Sequence, residues 1–189
     1  MILEIVQYPS PVLKKKAKPV ERIDRKIQEL IENMFETMYA APGVGLAAPQ
    51  VGISERILII DVGRLEGQPG GGQEKIRKPD PKAIINPVIK SREGKITWEE
   101  GCLSLPNLLL PMERSKKIVV EGLDREGKPV TYLGEDLLSV AFQHEIDHLD
   151  GILLVDRLSR LKRELYLKKL KNEGHFEEIL PGKGPAYIG

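Results

Sequence analysis

Two histidines four residues apart, His144 and His148, bracket Glu145, Ile146 and Asp147. On a helix that spacing sends both imidazoles from one face, one turn apart, where they can close on a single metal ion. Leu137, Val140 and Ala141 share the stripe, so the histidines lie on the apolar face and the helix is expected to be central and buried. Asp136 is placed to start it, satisfying the first free N–H groups, and Gly151 to stop it, tolerating the left-handed conformation after the last turn. The same five letters also fit an amphipathic helix with two core histidines and an incidental glutamate. A zinc or iron site usually needs a third protein ligand and, if catalytic, an open position for water. The choice therefore turns on one further donor.

The chain has a single cysteine, Cys102, and a third histidine, His175, in a polar, glycine-flanked tail. One cysteine excludes an intrachain disulfide. Cys102 lies in Glu99-Glu100-Gly101-Cys102-Leu103-Ser104-Leu105-Pro106, after a short strand-like run over residues 95–98. In extended backbone Trp98, Glu100 and Cys102 point to one side. Most lone cysteines are small buried hydrophobes, and this segment alone does not decide between that and a ligand.

A third segment, Gly43-Val44-Gly45-Leu46-Ala47-Ala48-Pro49-Gln50, has the glycine spacing of a dinucleotide fingerprint, but that motif follows a strand and opens a helix. Here a helix with Ile27, Leu30, Ile31, Met34 and Met38 on one face comes first, and Pro49 and Gly52 forbid a clean helix start afterwards. The glycines instead let backbone approach a ligand, with the Gln50 amide free to donate. An ordinary glycine-rich turn is the plainer alternative.

Together, Gly43-x-Gly45-x-Ala47-Ala48-x-Gln50, Glu100-Gly101-Cys102-Leu103-Ser104 and Gln143-His144-Glu145-x-Asp147-His148 closely resemble, in order, the three signature segments of polypeptide deformylases. The likeness runs from Tyr8-Pro9 to about residue 170. It implies a metallo-hydrolase that takes the N-formyl group from the N-terminal methionine of new polypeptides and releases formate. It also implies Cys102, His144 and His148 as metal ligands. Two neutral imidazoles and one thiolate leave a divalent ion with net charge near plus one and room for water, which suits a Lewis acid. Glu145, roughly 100 degrees around the helix from His144, can reach a bound water without ligating. It is expected to be general base for the attack of metal-bound water on the formyl carbon, then proton donor to the departing amine.

By the same resemblance the Gln50 amide and the backbone N–H of Leu103 would bind the oxyanion. Glu100 and Asp147 would orient ligands or pin the loop, although Asp147 could equally be a partly exposed helix residue. Val44, Trp98, Leu137, Val140 and Ala141 would line an apolar slot for methionine, or be core only, and Gly45 would hold the substrate backbone through its own main chain. One divalent ion is expected. The resemblance favours Fe(II), and a cysteine–imidazole set also accommodates zinc, nickel or cobalt.

At 189 residues and 41% hydrophobic, the chain suits one catalytic domain, expected over residues 1–172, with a loosely ordered tail over 173–189. Lysine and arginine number 29 against 28 acids, so global charge points to neither sequence-specific nucleic-acid binding nor a membrane. No apolar run reaches membrane-spanning length, and the apolar start stops at Tyr8-Pro9 without a secretory signal. A thiolate ligand then points to the reducing cytoplasm.

Residues 24–39 read as the first helix, and 56–61, 83–86, 117–123 and 129–133 as strands, the last two a hairpin turning at 124–127. Strands come in blocks instead of alternating with helices. The class is therefore α+β, with mainly antiparallel or mixed β-sheets around a central metal-binding helix and a C-terminal helix. On that last helix Leu158, Leu161 and Leu165 are expected inward, with Arg160, Lys162, Arg163, Lys168, Lys169 and Lys171 outward. The basic run is either a solvated face or, because deformylases act on chains leaving the ribosome, a docking face for ribosomal RNA.

Two stretches depart from the family pattern. Residues 63–81, with Gly70-Gly71-Gly72, read as a long, mobile surface loop. Asn107-Leu108-Leu109-Leu110 is unusually apolar, which leaves contacts to later substrate residues open. Among other readings, a zinc metallopeptidase would share the helix, but its longer pattern needs a histidine where Leu154 stands, or a downstream carboxylate such as Glu164. A non-enzymatic, metal-stabilised binding domain would need a fourth ligand, for which His175 is the spare histidine.

Overall fold

Asp24 opens the first helix of the computed structural model, which describes residues 1–66 and 76–172. Its carboxylate accepts from the amides of Lys26 (3.0 Å) and Ile27 (3.3 Å), supplying partners that the first turn cannot. Helix α1 (Arg25–Ala40) then buries Ile27, Leu30, Ile31, Met34 and Met38, the face that the sequence periodicity predicts. Next come β1 (Gly45–Ala47), a 3-10 turn over Ala48–Val51, and β2 (Ile57–Ile60). β2 is four consecutive aliphatics, all fully buried. Ile57 and Ile59 pack with α1 while Leu58 and Ile60 pack on the opposite face, so a strand covered on both sides shows no polar alternation.

β3 (Arg64–Glu66) and β4 (Ile76–Lys78) form a small antiparallel pair, Arg64 opposite Lys78. The ends of the expected mobile loop are therefore strands, and its glycine-rich middle lies outside the described residues. β5 (Lys82–Glu93) is longer than the four residues expected. Asn86-Pro87 reads as a strand end, yet the strand continues through a register shift between Ile85 and Val88, with Asn86 left-handed at φ 53°. The Asn86 side chain accepts from Val20 N–H and donates to Val20 O, both at 2.9 Å, which holds the bend, and Pro87 needs no ladder partner there.

β6 (Ile96–Cys102) and β7 (Leu105–Arg114) form a separate hairpin with Leu103-Ser104 at its tip. The pairing passes from Gly101 opposite Leu109 to Cys102 opposite Leu105, so residues 106–108 bulge out of the ladder, and Asn107 is left-handed. Leu108 and Leu110 of the apolar run pack on the cluster around Cys102. β8 (Lys117–Leu123) and β9 (Pro129–Glu135) complete a five-stranded antiparallel sheet in the order β1-β2-β5-β8-β9.

Helix α2 (Asp136–Leu149) lies across this sheet, with Val140, Ala141, Phe142, Ile146 and Leu149 packed against Leu58, Ile60, Ile84 and Val120. Emptying the fully buried Phe142 position to alanine would cost about 3–5 kcal/mol, so this packing anchors the helix that carries the histidines. Asp136 is not the cap expected of it. It is the first helical residue, at φ 48°, without a side-chain cap bond, because its amide donates to Lys116 O at 3.0 Å and fixes the turn from β9 straight into the helix. Gly151 does stop the helix, at φ 73°, where a β-carbon would lie 2.6 Å from Lys14 O.

Helix α3 (Arg160–Asn172) is rotated relative to the sequence expectation. Leu161 and Leu165 are 67% and 57% exposed, and Tyr166 and Leu170 turn inward instead. Leu158, just before the helix, does pack inward. The Tyr166 hydroxyl donates to Pro106 O at 2.8 Å, so this face buries an aromatic ring with its polar tip satisfied. The fold is α+β as expected, and no helix among the described residues is long and apolar enough to cross a membrane. The 173–189 tail lies outside the described residues.

Candidate metal centre

His144 and His148 leave α2 with their Nε2 atoms 3.2 Å apart, and Cys102 Sγ, at the end of β6, lies 3.3 Å from His148 Nε2. All three residues are buried, and their ligand atoms fall within 4.8 Å of one another. Glu100 Oε2 accepts a hydrogen bond from His144 Nδ1 at 2.9 Å. An ionised carboxylate can only accept, so the Nε2 lone pair of His144 is left facing the cluster. Burial first, with the Arg114 charge acting the same way, pushes His148 well below its usual pKa, so its ring is neutral with a lone pair to give.

Burial pushes the Cys102 thiol up, aided by the Glu145 and Glu100 charges and opposed by the backbone N–H groups of Ser104 and Leu105. A bound cation is what would make the thiolate the stable form there. Three converging donors, one sulfur and two imidazole nitrogens, would suit a divalent transition metal and would leave it room for water.

Behind the donors lies a network that the sequence did not reveal. Arg114 Nε and Nη2 donate to the two Glu100 oxygens at 2.7 and 2.9 Å, and Nη1 donates to Asp147 Oδ2 at 2.6 Å. Burial alone raises the Glu100 pKa, but hydrogen bonds from Arg114 and His144 hold it below the usual carboxylate range. Gln143 fixes the turn after Arg114, donating to Ser115 O at 2.9 Å and accepting from Ser115 N–H at 3.0 Å. The signal for Arg114 is the alternation Met112, Glu113, Arg114, which places a charge on the buried side of β7, readable only once that segment is known to be a strand.

Arg114→Met is expected to weaken metal affinity about 10- to 100-fold through loss of His144 orientation. It should also cost about 3–5 kcal/mol by leaving Glu100 buried and unpaired. Chelator competition and thermal unfolding of the same samples check both, and wild-type values for both would refute the network's role.

Gln50 sits in the 3-10 turn after β1, where its Oε1 accepts from Ala47 N–H at 2.8 Å. That bond turns the amide NH2 toward the donors, with Nε2 3.3 Å from Ser104 Oγ and 3.7 Å from Cys102 Sγ. The N-terminal segment holds both flanks in place, Val6 N–H donating to Gln50 O at 2.7 Å and Tyr8 N–H to Ser104 O at 2.9 Å. Leu103 is buried at the hairpin tip beside Cys102 and packs on the α1 side. Val140 and Ala141 are fully buried, and Val44, Trp98 and Leu137 are partly buried at the margin of the same cluster.

Gly45 packs directly against Glu145. Glu145 is fully buried, and neither of its carboxylate oxygens finds a hydrogen-bond partner among the described residues. Burial, then the charges of Glu100 and Asp147, raise its pKa well above the usual carboxylate range.

The peptidase alternatives find no extra ligand among the described residues. Leu154 is buried in the apolar cluster with Cys102, and Glu164 is exposed on α3, paired with Arg160 at 2.9 Å. His175 lies outside the described residues.

The family model described as Polypeptide deformylase matches residues 2–164. The chain is 49% identical over 172 residues to the peptide deformylase of Thermodesulfovibrio yellowstonii, covering 91% of this chain and 98% of that one. It is 44% identical over 171 residues to that of Hydrogenovibrio crunogenus, covering 90% and 94%. Among solved structures, a peptide deformylase from Legionella pneumophila superposes with a TM-score of 0.78 at 44% identity, covering 92% of this chain and 95% of that one. The Ehrlichia chaffeensis peptide deformylase in complex with actinonin gives 0.80 at 35% identity, covering 93% and 99%.

Proposed function

The chain belongs to the polypeptide deformylase family, metal-dependent hydrolases that remove N-terminal formyl groups, and on that premise we propose how its own residues perform the hydrolysis. Cys102 Sγ and the Nε2 atoms of His144 and His148 would hold a divalent cation, which would supply Lewis acidity toward water and the formyl carbonyl. Glu145 accepts the proton as water oxygen bonds to the formyl carbon, then delivers it to the amine nitrogen as the carbon–nitrogen bond breaks. Formate and a free α-amine result. The observation that carries this role is the buried Glu145 carboxyl, unpartnered among the described residues and with a raised pKa, the setting in which a carboxyl can both take and return a proton.

Gln50 Nε2 and the Leu103 backbone N–H donate to the oxyanion that forms on the formyl oxygen. Glu100 orients His144, and Asp147 holds Arg114 against Glu100. Val44, Trp98, Leu137, Val140 and Ala141 favour an apolar methionine side chain, and the Gly45 main chain binds the substrate backbone. The substrates are N-formylmethionyl nascent polypeptides, met in the cytoplasm. Fe(II) is the working metal we favour, with zinc, nickel or cobalt as alternatives. Formate release from a formyl-Met peptide by anaerobically purified protein, with metal content measured on the same sample, tests this reading. A metal-replete protein that releases none would refute it.

The exposed basic residues of α3 are proposed to contact ribosomal RNA. Deleting the helix would be a poor test, because Tyr166 and Leu170 pack on the cluster that contains Cys102. Replacing the exposed Lys162, Lys168 and Lys171 with glutamine should weaken ribosome binding and flatten its salt dependence by up to about three phosphate contacts. Peptide turnover should be unchanged. Unaltered ribosome affinity in that triple variant would remove α3 from the contact.

A further inference from the structure

A β-carbon at Gly45 would lie 2.4 Å from Glu145 Oε1, 2.9 Å from Cδ and 3.0 Å from Cγ, all inside van der Waals contact. The conformation of Gly45 does not require glycine. It is paired with Ile60 in β1 and is absent from the residues with positive φ, so its backbone would accept alanine. What requires glycine is room for Glu145. The converse also holds: Glu145 is fully buried and its oxygens have no hydrogen-bond partner among the described residues. Its carboxylate is thus placed by the walls around it, and the bare backbone of β1 at Gly45 is one of them.

We propose that Gly45 is a positioning residue for Glu145, its missing side chain setting where the carboxylate sits. The catalytic consequence rests on Glu145 being the proton carrier, whereas the steric coupling stands by itself. This role is distinct from any bond that the Gly45 main chain makes to substrate, since the two act through different atoms and fail differently.

The experiment is a double-mutant cycle on metal-loaded protein, comparing wild type, Gly45→Ala, Glu145→Ala and the double variant, with metal content measured for each. Gly45→Ala should lower the thermal midpoint by roughly 2 to 10 °C, the range for forcing one methyl into a packed core. In the Glu145→Ala background the methyl enters vacated space and the drop should vanish. An equal drop in both backgrounds would overturn the coupling. If Gly45→Ala alone does not fold, recovery of a folded double variant supports the proposal, and failure of both overturns it.

On a formyl-Met peptide, Gly45→Ala should reduce kcat by roughly tenfold to a hundredfold at unchanged KM, with no further loss when added to Glu145→Ala. A raised KM at unchanged kcat would instead assign Gly45 to the substrate backbone alone and overturn the positioning role. Full turnover by Glu145→Ala would overturn the proton-carrier reading, while the thermal cycle still decides the steric one.

Discussion

Glu145→Gln is expected to retain stoichiometric metal while its turnover of a formyl-Met peptide falls by roughly a hundredfold or more, the usual contribution of a positioned acid–base group. The amide keeps the length and shape of the side chain, so the packing against β1 and the three metal donors, none of which is Glu145, should be undisturbed. What it loses is the ability to accept a proton from water. A surface glutamate would predict the opposite, no change, but this side chain is fully buried. Metal content and turnover measured on one preparation decide the matter. A metal-replete variant with near wild-type turnover would overturn the mechanism.

Cys102→Ala is expected to lose the metal altogether. Removing the sulfur leaves two imidazoles and no negative ligand, and metal affinity depends on both donor number and charge. The substitution is small in volume, so the hairpin tip, held by Tyr8 N–H on Ser104 O and by Tyr166 on Pro106 O, should persist. Elemental analysis after desalting, with a far-ultraviolet spectrum to confirm folding, separates ligand loss from unfolding. Wild-type metal affinity in the alanine variant would remove Cys102 from the ligand set.

Much of the site was legible because its residues carry signals that survive without tertiary context. His144 and His148 announce themselves by spacing, and Cys102 by being the single cysteine within a matching segment. Helix α1 was equally plain from its clean apolar stripe, and the structure adds Asp24 as its cap. Other features needed the fold. β7 contains Pro106 and Pro111, which read as breakers, yet the first sits in a bulge and the second faces outward on a two-stranded ribbon. With β7 missed, Arg114 could not be placed on a buried face, and the guanidinium joining Glu100 to Asp147 stayed hidden. The face of α3 was misjudged because leucine spacing alone favoured Leu161 and Leu165. The acceptor that draws Tyr166 inward lies at Pro106, far away in sequence. Asp136 has a cap's composition, but its amide is committed to Lys116 O across the sheet.

The close approach of Gly45 to Glu145 also constrains how such a sequence can drift. Positions 45 and 145 behave as one locus, although they are far apart in the chain. A residue larger than glycine at 45 presses on Glu145 and costs stability, and shortening 145 first removes the carboxyl that we propose carries the proton. Each step alone is a loss, so neither offers selection an intermediate to keep, and a lineage descending from this chain inherits the pair whole or not at all.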